Sequence, residues 1–346
     1  REFTINGLMQ LAGLLEGEAL WVSIDDSLTG KDKGTTCLEA VDWHHDHTKS
    51  TSKKQAYTNG TQHVEVRIQL GNQAYVYDWG LYMREKTVRR LNRKRKKKQR
   101  LSFRTKYRIV RAILVDLKKR LPAGFPVYVL FDSWYASNKL LKFCRRQGWH
   151  VICAIKSNRT LDGIKLSEWN QRLKHQPYTR VNPTATDRRK RPYLVRARKG
   201  RLKNVPFEVC GLISKRHRGD KRPKYFLCTD LSLSPQQILT FYKKRWPIEV
   251  DNYYVKQLLG LGDFRVRSYE AAEKWFAIVF LAYTFLQWRL NHASKKERFK
   301  VVADVIRYHR QQHARHVLEA ACEFAVRCTD MSLVLARFTS HGEPVP

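Results

Sequence analysis

The order of apolar runs constrains this chain most. Residues 20–26 (LWVSIDD) read as an apolar strand ending in acid. Residues 63–70 (HVEVRIQL) alternate with the period of a half-buried strand. Gly71-Asn72 is a turn signal, and residues 74–83 read as a third strand, which predicts a hairpin. Residues 107–120 then place Ile109, Ile113, Leu114 and Leu117 at helical spacing. Residues 126–132 (PVYVLFD) form another short apolar strand ending in acid. A helix over 138–147 and a strand over 149–155 follow. Strands that alternate with helices predict an α/β sheet. Ligands of open α/β sheets bind outside strand ends, near a switch in strand order.

Residues 160–230 change character. They are rich in Arg, Lys and Pro, with short β-like runs at 205–213 and 225–228, and read as a β-rich insertion. Helical patterns occupy 235–259, 269–291, 301–311 and 316–326. The longest apolar run, 275–286, holds about 12–14 residues, which is short for a bilayer and suits a buried core helix. No signal peptide is expected from the opening residues. The expected organisation is a remnant of an N-terminal helical region (1–17), a first part of the core (18–158), the insertion (159–230), completion of the core (231–295) and a C-terminal helical region (296–346).

Charge supplies the second constraint. There are 67 Lys and Arg against 31 Asp and Glu, a net +36. A compact chain this positive repels itself without a polyanionic partner, and Lys and Arg displace the counterions of nucleic-acid phosphates. Small packing proteins of ribosomes or chromatin share the charge but are poor in large aromatics, whereas this chain is 12% aromatic. Residues 89–100 hold nine Lys or Arg in twelve positions, among them Arg93, Lys94, Arg95 and Lys96. That tract reads as a mobile loop lying along DNA phosphates. The seven cysteines are scattered with no CxxC pair, which argues against a zinc site and for free thiols in a reducing compartment. Trp43-His44-His45-Asp46-His47 reads as a polar loop, since adjacent residues rarely point at one metal centre.

Three acids carry the chemistry. Asp26, with Asp25 beside it, ends the first strand, Asp132 ends the fourth, and Glu249 sits on the helix after the insertion. A strand-end Asp is commonly a turn former, so two of them alone say little. Around Glu249, however, Tyr242, Arg245 and Lys256 fall close to one helical face. Carboxylates are the hard oxygen ligands that Mg²⁺ or Mn²⁺ prefers, and two such ions can clamp an in-line displacement at phosphorus.

This segment resembles the YREK signature of the insertion-sequence transposases with a ribonuclease-H-like core. The signature spaces Tyr, Arg, Glu and Lys as Tyr242, Arg245, Glu249 and Lys256 are spaced here. Residues 24–27 (IDDS) resemble the family's first-Asp motif, which favours Asp26 over Asp25. Residues 131–135 (FDSWY) resemble its second, 226–230 the strand before the signature helix, and 264–268 (FRVRS) the basic segment after it. The resemblance runs from about residue 18 to about 290. It implies a ribonuclease-H-like mixed sheet flanked by helices, with a β-rich insertion before the last catalytic helix.

It further implies DNA cleavage and strand transfer by Asp26, Asp132 and Glu249, which would also hold two Mg²⁺ or Mn²⁺ ions. Tyr242, Arg245, Lys256, Arg265 and Arg267 would contact DNA, and Trp246 or Trp134 would stack a displaced base or pack in the core. The implied partners are double-stranded DNA, as terminal inverted repeats and target, and a second copy on paired ends. The implied location is cytoplasmic and nucleoid-associated, with no membrane. Family members usually carry an N-terminal domain that reads the terminal repeats. The space before residue 20 is too short for one, which leaves end recognition to the insertion and C-terminal helices or to a segment ahead of Arg1. Two other readings stand beside this one: a metal-dependent nuclease without strand transfer, and a truncated or domesticated transposase that only binds DNA.

Overall fold

The computed structural model describes residues 18–51, 54–182, 192–294, 297, 299–327, 330 and 332. The expected N-terminal remnant, Cys328 and the basic stretch 183–191 lie outside the described residues. The chain forms two compact units, Arg1–Leu281 and Ala282–Pro346.

Twelve strands are described: β1 (Leu20–Gly30), β2 (Asp42–His45), β3 (Tyr57–Leu70), β4 (Gln73–Tyr82), β5 (Val127–Phe131), β6 (His150–Ala154), β7 (Thr160–Leu161), β8 (Ile164–Lys165), β9 (Thr179–Val181), β10 (Tyr193–Arg201), β11 (Glu208–Lys215) and β12 (Lys224–Cys228). All but β7 and β8 join one sheet in the order β2-β3-β1-β5-β6-β12-β11-β10-β9, with β4 paired to β3. The β1–β5 and β5–β6 pairs are parallel and the rest antiparallel. The helices are α1 (Glu85–Asn92), α2 (Lys106–Arg120), α3 (Asn138–Arg146), α4 (Leu166–Arg172), α5 (Pro235–Tyr242), α6 (Pro247–Gln257), α7 (Tyr269–Asn291) and α8 (Val302–Arg327). This is the expected α/β class, a mixed sheet flanked by helices.

Local chemistry starts the helices where the sequence places the signals. Thr105 caps α2 by accepting from Arg108 N, and Ser137 caps α3 by accepting from Leu140 N. Ser234 and Gln237 form a reciprocal capping box ahead of α5, with Pro235 in its first turn. Between sheet and helices lie Val22, Ile24, Val129, Phe131 and Val151, all 0% exposed. Each such side chain contributes roughly 1.5–3 kcal/mol by leaving water.

Several expectations change. The first strand does not stop at Asp26. It runs to Gly30, because β3 pairs it antiparallel as far as Gly30↔Gly60 while β5 leaves at Ile24↔Phe131. The hairpin partner β3 is buried on both faces, not one: His63 and Glu65 are 0% exposed and Arg67 is 8% exposed. The segment that carries the basic tract, residues 84–106, is no open loop. It contains α1 and a 3₁₀ turn, Lys97–Gln99, and Asn92 closes it by exchanging two hydrogen bonds with the Leu101 backbone.

The stretch 235–259 is broken into α5, a 3₁₀ turn at Lys243–Arg245, and α6, because Pro247 has no N–H to continue the ladder. The two C-terminal helices are one, α8. The β-rich segment adds β12, β11, β10 and β9 to the main sheet beyond β6. The apolar run in α7 is one-faced: Phe276, Val279 and Phe280 are buried, while Ile278 and Leu281 are 64% and 71% exposed. Among the described residues no helix is long and apolar enough to cross a membrane.

In the second unit, Phe285 packs 5.6 Å from His309, and Arg289 pairs with Glu297.

Candidate active site

Strand alternation sorts the side chains of β1. Trp21, Ser23 and Asp25 turn to the side covered by α5, the 3₁₀ turn and α6. Lys244 lies 4.2 Å over the Trp21 ring, and Ser23 Oγ donates to Lys244 O at 3.4 Å. Asp26 turns to the α2 side. Its Oδ2 accepts from Lys106 Nζ at 2.6 Å and from Gln62 Nε2 at 2.7 Å.

The parallel register with β5 ends at Ile24↔Phe131, so Asp25 and Asp132 are the next residues along two adjacent strands. Asp132 Oδ1 accepts from the backbone N–H of Trp134 at 2.9 Å and of Tyr135 at 3.3 Å. Tyr135 is fully buried; burial and then the charges of Asp26, Asp25 and Asp132 push its hydroxyl well above its usual range. One buried phenol thus feels all three aspartates.

Glu249 lies in the first turn of α6, where the helix dipole favours a carboxylate. Arg245, in the turn before it, bridges two acids: Nη1 reaches Asp25 Oδ2 at 3.2 Å, and Nη2 pairs with Glu249. Burial pushes the Asp25 carboxyl up from 3.8 to about 7. Arg245 opposes that rise, while Asp26 and Asp132 add to it. Lys256 is anchored by donating to Leu28 O at 2.8 Å; burial lowers its pKa against the pull of Asp25 and Glu65.

Beneath this lies a polar layer with no local signal in the sequence. Glu65 faces Asp25 across the β1–β3 pair. Its pKa is raised well above normal by burial, then by Asp251 and Asp25. Arg67 Nε meets Asp251 Oδ2 at 2.8 Å, with both side chains under a tenth exposed. Lys106 and Gln62 are equally silent in sequence, because only the sheet brings them to Asp26.

The expected DNA-contacting residues divide. Arg265 and Arg267 are exposed, as are Arg93, Lys94 and Lys96. Arg95 is not: its guanidinium pairs with Glu39 and Glu270 and ties down the basic segment. Tyr242 is largely buried beside Phe226, 4.9 Å away, and burial raises its hydroxyl to about 12. Trp246 is 62% exposed, whereas Trp134 stacks on Tyr107 at 4.9 Å, with Lys106 Nζ 4.8 Å from its ring centre. The expected His loop begins as β2, with His44 buried and its pKa pushed by desolvation down to about 4.

Over residues 33–285 the chain matches the family described as the transposase DDE domain. The chain belongs to the DDE transposase family. The matched stretch begins after Asp26 and includes Asp132 and Glu249. No curated protein matches the chain significantly. Membership implies DNA cleavage and transposition as the general activity, nucleotidyl transfer as the reaction class and DNA as the partner. DDE transposases generally use divalent metal ions.

The acids of this transposase have the hard oxygen chemistry such ions prefer. Among the described residues no three His, Cys, Asp or Glu side chains stand close enough to hold one ion. Arg245 and Lys106 occupy the carboxylates instead, supplying positive charge to a crowded group of acids.

Proposed function

We propose that this chain is a transposase of the YREK-signature group on a ribonuclease-H-like core. It cuts double-stranded DNA at element ends and passes the freed 3′-hydroxyl to a second DNA. Asp132 and Glu249 would hold Mg²⁺ or Mn²⁺ together with one of the paired aspartates. The motif favours Asp26; the guanidinium shared with Glu249 favours Asp25, and the geometry weighs toward Asp25. Two such ions would activate the attacking oxygen and stabilise the leaving one.

The protein's own groups have defined tasks in this reading. Arg245 holds Glu249 toward Asp25, and its fork can turn to a phosphate once the acids are engaged. Lys106 and Gln62 hold Asp26. The Trp134 and Tyr135 amides fix Asp132 Oδ1. Lys256, Arg265, Arg267 and the exposed cations Arg93, Lys94 and Lys96 would line the DNA path. Tyr242 would position Arg245, whose guanidinium lies 5.9 Å from its ring. The core is proposed as 18–158 with 231–295, interrupted by 159–230, and two copies act on paired ends.

One observation carries the reading: the β1–β5 register brings the paired aspartates alongside Asp132, and Arg245 ties Glu249 to that same strand. Incubation with plasmid or element-end DNA in Mg²⁺, then Mn²⁺, tests it beside Asp132→Ala and Glu249→Ala. Cleaved and joined products that vanish in both variants are expected. Cleavage without joining would leave a nuclease, and binding with no product in any lane would leave a DNA-binding protein.

A further inference from the structure

A second cationic feature lies well away from the carboxylates. The segment after α4 and the strands β9–β11 enclose a cleft of about 1080 Å³. Arg172, Lys174, Arg180, Arg196, Lys215 and Arg218 line it, and no described lining residue is acidic. Such a set repels itself and calls for an anion. Arg196 is 7% exposed and fixed in place. It donates to Gln176 O at 2.9 Å and Lys174 O at 2.8 Å, and its guanidinium lies 3.8 Å over the Tyr178 ring. The positive charge at the cleft wall is therefore preorganised rather than swept by a free side chain.

Topology relates the cleft to the acids. β12 runs antiparallel to β6, so Lys224 and the β11–β12 turn lie at the sheet edge where β5 ends in Asp132. β10 starts at that edge too, because it is antiparallel to β11. Arg222 and Lys224 share a neighbouring cleft with Arg245 and Trp246. Arg216, which opens the same turn, shares another with Trp246 and with Asp220, the one acid in that lining. Cations thus continue along one edge from Arg245 to the β11–β12 turn. From there the cleft opens on the opposite face of the sheet, because Val195 packs with Trp21 and Leu239 under α5 while its neighbours Leu194 and Arg196 turn away. In the sheet order β10 lies four strands from β5. At about 4.8 Å per strand that is roughly 20 Å, or about six base steps of duplex at ~3.4 Å each.

We propose that this cleft seats the phosphodiester backbone of DNA that leaves the carboxylate edge and passes round the strand ends to the opposite face, at least about six base steps away by the same strand and base spacings. The proposal rests on the active-site reading only for that distance. The phosphate-binding role stands on the cleft itself.

Binding of a long duplex, followed by fluorescence anisotropy in EDTA over a salt series, tests it without any cleavage. The cleft variant carries Lys174→Gln, Arg180→Gln and Arg218→Gln. The control carries Lys119→Gln, Arg145→Gln and Arg146→Gln, which remove equal charge at the opposite sheet edge. Thermal unfolding of all three proteins checks folding. The cleft variant is expected to bind about tenfold or more weakly, with a salt slope smaller by about 0.9 for each phosphate it no longer neutralises, while the control keeps the wild-type slope. Equal weakening in the cleft and control variants would mean only net charge matters and would overturn the proposal. A photoreactive amino acid in place of His175 should cross-link to the same duplex, and absence of that cross-link would also count against it. Failure of the metal-dependent cleavage assay would leave these binding results unchanged, so the two readings fail separately.

Discussion

Asp25 and Asp26 are adjacent in β1 and face opposite sides of the sheet, the first meeting Arg245 and the second Lys106. The same strand therefore offers one carboxylate to Glu249 and another to α2. Asp25→Asn and Asp26→Asn separate the two. If Asp25 holds the ion, Asp25→Asn should lower cleavage by about 100-fold or more, as removal of a metal ligand costs more than removal of its outer partners. Asp26→Asn should then cost less. The reverse order, read in the same plasmid assay, would return the role to Asp26.

The pH dependence of stability gives a second, metal-free reading of Asp25. Its pKa is raised from 3.8 to about 7, chiefly by burial. A carboxyl raised on folding favours the native state while protonated. That contribution is complete below 3.8 and disappears as pH rises through about 7. In EDTA, Asp25→Asn should match the wild type near the acid end of this window and exceed it in Tm above pH 7. Added Mg²⁺ should raise the wild-type Tm at pH 8 and leave the variant nearly unmoved. A variant whose Tm follows the wild type across the whole range would remove Asp25 as the source.

The buried pair Arg67–Asp251 should behave as a unit. Removing one partner leaves a desolvated charge beside Glu65, so Arg67→Ala or Asp251→Ala should each cost about 3–5 kcal/mol. Replacing both with Met and Leu should cost less than either single change. Urea unfolding of the four proteins measures this, and additive costs would show that the two charges are not coupled.

The basic tract should divide by role. Lys94→Gln and Lys96→Gln should each reduce the salt slope of DNA binding by about 0.9 with little change in Tm. Arg95→Gln should instead lower Tm, because Arg95 is held by Glu39 and Glu270. A Tm unchanged on replacing Arg95 would mean the clasp between Asn92 and Leu101 suffices by itself.

The pattern of apolar residues makes most of the sheet legible. β4, β5, β6, α2 and α3 fall within a residue or two of their expected bounds, because local periodicity and capping decide them. β3 shows where such reasoning ends. Its polar side, His63, Glu65 and Arg67, reads as solvent-facing until α6 covers it with Asp251 and Asn252. Nothing within the strand announces that cover. The tract at residues 93–100 misleads for the opposite reason: its local charge suggests a mobile loop, while Arg95 finds its acids at positions remote in sequence. The acids themselves are visible by type and spacing, but which face each of the paired aspartates takes is decided by pairing with β3 and β5.

The insertion strands are hydrogen-bonded into the sheet that carries Asp132, without an intervening hinge. A domain on a flexible tether could adjust its grip to whatever DNA arrived. Strands in a single ladder cannot slide or swing past one another without breaking backbone hydrogen bonds. On the proposed DNA path the molecule would act as a ruler with fixed marks. A duplex that reaches both the acids and the outer strands must bend or twist to the protein's spacing. Selection among DNA sequences can then arise from how easily each one deforms, at base pairs that no side chain touches.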